Sequence, residues 1–381
     1  SFVFNAFLKP QEEKFFVLVV TESEKKGFLL SARSDRTLAL LKKWKELDLE
    51  RFFKKWYLLR RKWNVIVSAG APFVFTAVFP IFLKRGEAGV PLSEGELDNL
   101  FGKTASAMFN QYREEASRTL NLKEADIVLI ESRIYDFKID DHLVLDPLGF
   151  VPKKLEATVE LTFVKRDLYE HLRPLIRRRA AFRFLEATRA GLYALKKISK
   201  GEVGIISIKA NGSFALTFDK KSDRRIRVQN LGWATNVLHD ALLSEWSLSP
   251  RVARAVYFKY LDGDVSPLVG RYLEKLFRPR ILNFFSSTAK SGFRGRFFVD
   301  TSERLPFPLP YRRRGITFEL LPVKELARKS GFEIDTSRWP LESGEIFSCL
   351  APFFEYYYDK GDNVINHWLK RRLHWLGARP V

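Results

Sequence analysis

Hydrophobic positions fall into two alternating rhythms along this chain, short strand-like runs and longer stretches of helical spacing. Lys14 to Val20 is an apolar run, with Gly27 to Ser31 as a hairpin partner. Val65 to Leu83 carries no charge and is long enough to cross a bilayer. Gly70, Pro72 and Pro80 interrupt it, so two buried strands with a turn at Ala69-Gly70-Ala71-Pro72 are the preferred reading. Ile127 to Ile130 is apolar, and Ile134 to Ile139 and Leu155 to Val164 alternate. Val203 to Ile208 and Phe214 to Phe218 flank Asn211-Gly212, a pair that tolerates the positive φ of a tight hairpin turn. Phe297-Phe298-Val299 is a further strand.

Between these runs the spacing becomes helical. Thr37 to Trp63 reads as a basic amphipathic helix covering a sheet. Ser93-Glu94-Gly95-Glu96 is a capping box opening a helix to about Leu120, with Leu97, Leu100, Phe101, Met108 and Tyr112 on one face. Asp167 to Lys197 is helical with a break at Pro174, and Arg177-Arg178-Arg179 lies on a solvated face. Val237 to Trp246 is helical, Ser249-Pro250 and Ser266-Pro267 each start a helix with serine as N-cap and proline first, and Glu345 to Tyr358 is another.

Composition narrows the class. The chain has 381 residues, 46% of them hydrophobic, which requires more than one core and excludes disorder. Its 34 phenylalanines predict aromatic-rich cores. Cys349 is the only cysteine, so neither an internal disulfide nor a cysteine-based zinc site can form, in keeping with a reducing compartment. A formal charge of +20 implies an anionic partner or surface. The basic residues are spread along the chain without a recognisable nucleic-acid module, which leaves a nucleic-acid-binding protein as the less favoured rival. The histidines at 142, 171, 239, 367 and 374 are scattered, no metal-ligand spacing is present, and Gly-x-Ser-x-Gly, Walker A and Gly-x-Gly-x-x-Gly patterns are absent.

The order of these pieces resembles the actin-like ATPases, the cell-division protein FtsA in particular. Tyr135, Ile139-Asp140, Pro147-Leu148-Gly149-Phe150 and Leu155-Glu156-Ala157-Thr158-Val159-Glu160-Leu161, behind a capped helix, are similar to the subdomain inserted in FtsA. Ser207-Ile208-Lys209-Ala210-Asn211-Gly212-Ser213-Phe214 stands where the family writes its second phosphate hairpin, and Leu305-Pro306 match the end of its adenosine loop. The resemblance implies an α/β, actin-like (RNase H-like) fold of two domains, each round a five-stranded mixed sheet. It implies first-domain cores at 1–83 and 165–200, an inserted α+β subdomain at 84–164, second-domain cores at 201–231 and 294–358, a helical partner-binding subdomain at 232–293 and a terminal helix at 359–381.

The family's chemistry is largely missing. The first turn, Thr21 to Lys26, has no glycine and two glutamates; the second has lost both acids and carries Lys209; the loop after Val299 has lost its glycines. Ala253-Arg254-Ala255-Val256-Tyr257 lacks the family's nucleoside-contacting Glu and Lys. The expectation is a pseudo-ATPase with no catalytic residue, metal or cofactor. Ser207, Lys209, Ala210, Asn211, Gly212 and Ser213 mark the vestigial site, and ATP with Mg²⁺ binds only if that site survives. By resemblance the chain is a cytoplasmic adaptor on the inner face of the cell membrane that tethers FtsZ and self-associates into filaments. A PilM-like pilus-assembly adaptor and a divergent active ATPase are the alternatives.

Two surfaces follow from that reading. Arg251, Arg254, Lys259, Arg278 and Arg280, with Lys275 and nearby aromatics, offer an acidic FtsZ tail a groove. After Asp362-Asn363, Ile365, Trp368, Leu369, Leu373, Trp375 and Leu376 share one half of a final helix, while Lys370 and Arg371 lie on the other, the pattern of an interfacial helix on anionic lipid. The competing reading docks that helix back on the protein.

Overall fold

A computed structural model describes residues 12–22, 24–56, 63–84, 89–176, 182–219, 222–301, 303–334, 343–358 and 365–366. Its elements are β1 (Glu12–Val20), β2 (Lys25–Arg33), β3 (Thr37–Trp44), α1 (Leu49–Trp56), β4 (Asn64–Ala69), β5 (Val74–Lys84), α2 (Glu94–Leu120), β6 (Ile127–Ile139), β7 (His142–Val144), β8 (Lys154–Lys165), α3 (Arg166–Ile176), β9 (Phe182–Glu186) and α4 (Ala187–Ile198). There follow β10 (Val203–Lys209), β11 (Gly212–Asp219), β12 (Ser222–Asn230), α5 (Asn236–Trp246), α6 (Pro250–Leu261), α7 (Pro267–Lys290), β13 (Gly295–Thr301), β14 (Tyr311–Arg313), β15 (Ile316–Leu320), α8 (Val323–Lys329), β16 (Glu333–Ile334) and α9 (Ser343–Tyr357). The chain divides into two compact units, 1–190 with 331–340 and 348–381, and 191–330 with 341–347.

The first unit is built on a sheet of order β16-β3-β2-β1-β4-β9. β1, β2 and β3 form an antiparallel meander, and β4 and β9 continue parallel to β1 on its other side. The second unit repeats the arrangement as β12-β11-β10-β13-β15-β14: an antiparallel meander, then β13 and β15 parallel to β10. One topology used twice in one chain is the actin-like fold. Among the described residues each sheet has six strands rather than the five expected, because the short strands β16 and β14 add an edge to each.

Inserted in the first unit is an antiparallel sheet of order β5-β8-β6-β7, crossed by α2. Ser93 caps α2 as expected, its Oγ accepting from the Glu96 amide at 3.2 Å. Phe101, Phe109, Phe137 and Phe163 fill the core between them. β5 belongs wholly to this sheet, so the insertion starts near residue 74 rather than 84. Residues 348–357 of α9 group with the first unit, not the second.

Two helical readings are corrected. Thr37 to Trp44 is strand β3, because its backbone completes the ladder of β2; among the described residues of that stretch, Leu49–Trp56 is helical. Within Asp167 to Lys197, Phe182–Glu186 is strand β9, drawn into the sheet by β4. The two uncharged strands read in Val65 to Leu83 are β4 and β5, and no helix among the described residues is long and apolar enough to cross a membrane.

Candidate functional site

The helices of the second unit form where serine and proline direct them. Pro267 takes the first turn of α7, and the Ser266 Oγ accepts from the Val269 amide at 3.4 Å; Ser249 and Pro250 hold the same places in α6 without a side-chain cap bond. On α6, Ala253 and Tyr257, four residues apart, turn into the core. That leaves Arg251, Arg254, Ala255, Phe258 and Lys259 exposed on the other side. Pro250, Arg251, Arg254, Ala255 and Phe258 line an open depression of about 500 Å³.

Of the five expected partner-binding residues, this depression brings together Arg251 and Arg254 only. The Arg254 guanidinium lies 5.7 Å above the Phe258 ring and donates to Glu303 Oε1 at 3.3 Å. Lys259 stands 3.7 Å from Asp264, and Arg278 pairs with Glu274 at 2.9 Å on α7. Arg280 is half-buried and donates back to the Leu276 carbonyl of its own helix at 2.6 Å.

Sequence reasoning missed the residues that hold this surface in place. Glu303 accepts from Arg254 and meets His239 Nε2 at 2.9 Å; the Tyr257 hydroxyl donates to the Arg304 carbonyl at 2.7 Å. Burial, with the Glu303 charge added, pushes the Tyr257 phenol far up, so it stays a neutral donor. Thr301 Oγ1 donates to the Glu303 carbonyl at 2.6 Å. The stretch in the place of the adenosine loop is thereby fastened to α5 and α6. No local pattern announces this, since the partners on α5 and α6 lie 47 to 64 residues from this stretch.

The β10–β11 turn differs from its reading. Lys209 pairs with Gly212, so Ala210 and Asn211 are the turn residues, and neither Asn211 nor Gly212 has positive φ. The first amides around α5 decide the geometry: Thr235 and Asn236 donate to the carbonyls of Lys209 and Ala210 at 3.1 and 3.2 Å, and Asn236 Nδ2 donates to Asn211 Oδ1 at 2.8 Å. Ser213 is buried, Ser207 half-buried and Lys209 exposed. Asp300, beside Ser207 in β13, is shifted up by burial and pulled back by the Lys209 charge. In the first turn, Thr21 and Glu24 satisfy one another, the Thr21 amide donating to the Glu24 carbonyl at 2.8 Å. Neither turn has glycine at its tip: Glu22 and Glu24 stand in the first, and Lys209 precedes Ala210 and Asn211 in the second.

Of the eight residues assigned to lipid, only Ile365 is described, and it is a correction: it is 3% exposed, packed in the core of the inserted subdomain. Its neighbour Asn366 bonds both backbone groups of Ile134. Trp368, Leu369, Lys370, Arg371, Leu373, Trp375 and Leu376 lie outside the described residues.

No protein-family model matches the sequence, and no curated protein matches it significantly. Solved structures share its general form at low identity. A PilM–PilN type IV pilus biogenesis complex aligns at 15% identity over 90% of this chain and 97% of that one, TM-score 0.47. The cytoplasmic domain of EpsL, an inner-membrane component of the Vibrio cholerae type II secretion system, aligns at 9% over 90% and 95%, TM-score 0.35. The 2-hydroxyisocaproyl-CoA dehydratase activator of Clostridium difficile with bound ADPNP aligns at 10% over 92% and 98%, TM-score 0.32.

Proposed function

We propose that this chain is a non-catalytic, actin-like adaptor that holds a short acidic, amphipathic segment of a partner protein against α6. The observation that carries the reading is the meeting of Arg251, Arg254 and Phe258 around one open depression. Carboxylates of a bound segment pair with the two guanidinium groups, and its apolar side chains cover Phe258 and Ala255. Lys275, exposed on α7, adds positive charge to the same helical group. The FtsZ tail implied by the sequence resemblance has this composition. In that reading the segment after Asn366 contacts anionic lipid on the inner face of the cell membrane, and the adaptor self-associates.

A second reading, an adaptor of the PilM kind with a PilN-like partner, is favoured by one observation. Ile365 and Asn366 are built into the inserted subdomain, which suits a docked terminus better than a tether on a free linker. In either reading the protein works without nucleotide turnover, a reading supported by the glutamates of the Thr21–Glu24 turn and the charge of Lys209.

Anisotropy titrations of labelled FtsZ-tail and PilN segments against the full chain test the site. One of them should bind, and Arg251→Glu with Arg254→Glu should weaken it at least about tenfold, a loss of about 1.4 kcal/mol. Equal binding by the variant removes the site.

A further inference from the structure

β12 ends the sheet of the second unit, pairing with β11 and with no other strand among the described residues. It is nine residues long and contains no proline. Natural sheets blunt such edges with short strands, charged side chains, prolines or covering elements, because a free row of backbone groups accepts another strand; of these β12 carries charge, in Arg225 and Arg227.

The register fixes which groups face outward. The Leu231 amide donates to the Ser213 carbonyl at 2.9 Å. Antiparallel pairs alternate between exchanging hydrogen bonds and not, so Gln229 opposite Ala215 and Arg227 opposite Thr217 also face β11. Ile226 and Val228 therefore turn their N–H and C=O groups to the free edge. Side chains alternate too: Arg225, Arg227 and Gln229 share one face of the sheet, Ile226 and Val228 the other. Arg225 and Arg227 are exposed, and Val228 is 61% exposed. Arg227 is held extended along the strand, 5.9 Å over the Phe293 ring and donating to Gln229 Oε1 at 3.1 Å.

We propose that β12 is a docking edge for an extended segment of a partner protein in which acidic and apolar residues alternate. Added as a seventh strand, such a segment exchanges backbone hydrogen bonds with Ile226 and Val228. Its carboxylates stand over Arg225 and Arg227, and its apolar side chains cover Val228. A second copy of this chain is the poorer occupant. Pairing β12 with itself places basic face on basic face, and like charges opposite one another destabilise a strand pair in a chain already at +20.

The test uses the full chain and a labelled peptide alternating glutamate and valine, with a lysine–valine peptide as control. The acidic peptide should bind and the basic one should not. Arg227→Glu should weaken binding about tenfold, equivalent to about 1.4 kcal/mol. Val228→Pro should weaken it as much, because it deletes an outward amide while sparing the ladder to β11, and prolines are tolerated on edge strands. Val228→Thr, which keeps the amide, should bind as wild type; every comparison is made in the Arg251→Glu, Arg254→Glu background, so that the α6 depression takes up none of the acidic peptide and only the edge is read. Binding that survives Val228→Pro in a protein with an unaltered melting curve overturns the proposal, since attraction then needs no strand pairing. No preference for the acidic peptide, or dimers of Arg227→Glu in sedimentation without peptide binding, also overturns it and leaves the arginines as guards against self-pairing.

Discussion

The carboxamide of Asn366 closes on the backbone of Ile134 from both directions: Oδ1 accepts the Ile134 N–H at 2.7 Å, and Nδ2 donates to its C=O at 2.9 Å. Both residues are buried. Ile134 lies opposite Val159 of β8, and β7 pairs only with Phe137 to Ile139, so one side chain supplies what a neighbouring strand would. Asn366→Ala strands a buried donor and acceptor and should cost roughly 2 kcal/mol, within the range for unsatisfied buried groups. Urea denaturation measures it; an unchanged midpoint would show that the contact stabilises nothing.

The same segment separates packing from lipid binding. Ile365→Ser should lower stability by roughly 2 kcal/mol through loss of apolar burial and leave liposome binding alone. Trp368→Ser with Trp375→Ser should do the reverse on anionic vesicles if the sequence-based membrane face is right. Co-sedimentation at low and high salt, beside thermal melts, distinguishes them. Loss of folding in the tryptophan pair would place that face inside the protein.

Glu355 should make stability depend on pH. Burial raises its pKa to about 6, with Arg133, 3.7 Å away, pulling it down, Glu160 pushing up, and Arg189 and Arg183 pulling down. A carboxylate raised in the folded state contributes stability below its ordinary value of 4.5 that is lost as pH rises through about 6. Glu355→Gln should therefore gain on wild type as pH rises between those limits, by up to about 2 kcal/mol, since each pH unit between the two pKa values is worth about 1.36 kcal/mol. The comparison is urea stability of both proteins at a series of pH values. A difference that does not vary with pH refutes the assignment.

Two glycines should respond oppositely to alanine. Gly295 has φ +93°, and a Cβ there would stand 2.1 Å from the Glu202 carbonyl oxygen, so Gly295→Ala should cost roughly 3 kcal/mol or prevent folding. Gly212 lacks positive φ, and its nearest obstacle is the Phe214 ring at 3.7 Å; Gly212→Ala should change stability by less than about 1 kcal/mol. A large loss at Gly212 would restore the Asn211-Gly212 turn expected from sequence.

The non-catalytic reading expects purified protein with ATP and Mg²⁺ to release no phosphate above background. Turnover abolished by Ser207→Ala or Lys209→Ala would establish the divergent ATPase instead.

Sequence alone determined the features whose causes are local. Ser-Pro pairs preset the entry to α6 and α7, Ser93 capped α2, and apolar runs or alternations marked β1, β8, β10 and β13, because these signals act within a turn or a pleat. The order of such pieces was enough to reach the actin-like fold. Tertiary structure decided wherever two remote segments competed for the same backbone. Leu38, Leu40 and Leu41 suit a helix as well as a strand, and the open ladder of β2 chose strand. Phe182 to Glu186 sits inside a helical pattern and became β9 because β4 had an unpaired edge. Asn211-Gly212 was the locally favoured turn, but amides from Thr235 and Asn236 bound the carbonyls one residue earlier. Arg251 and Arg254 were legible as charges; their arrangement beside Phe258, with Glu303 reaching Arg254 from 49 residues away, came only with packing. Ile365 shows the limit most plainly: an amphipathic face states that apolar side chains must be covered, and the sequence carries no signal for whether lipid or the protein's own core covers them.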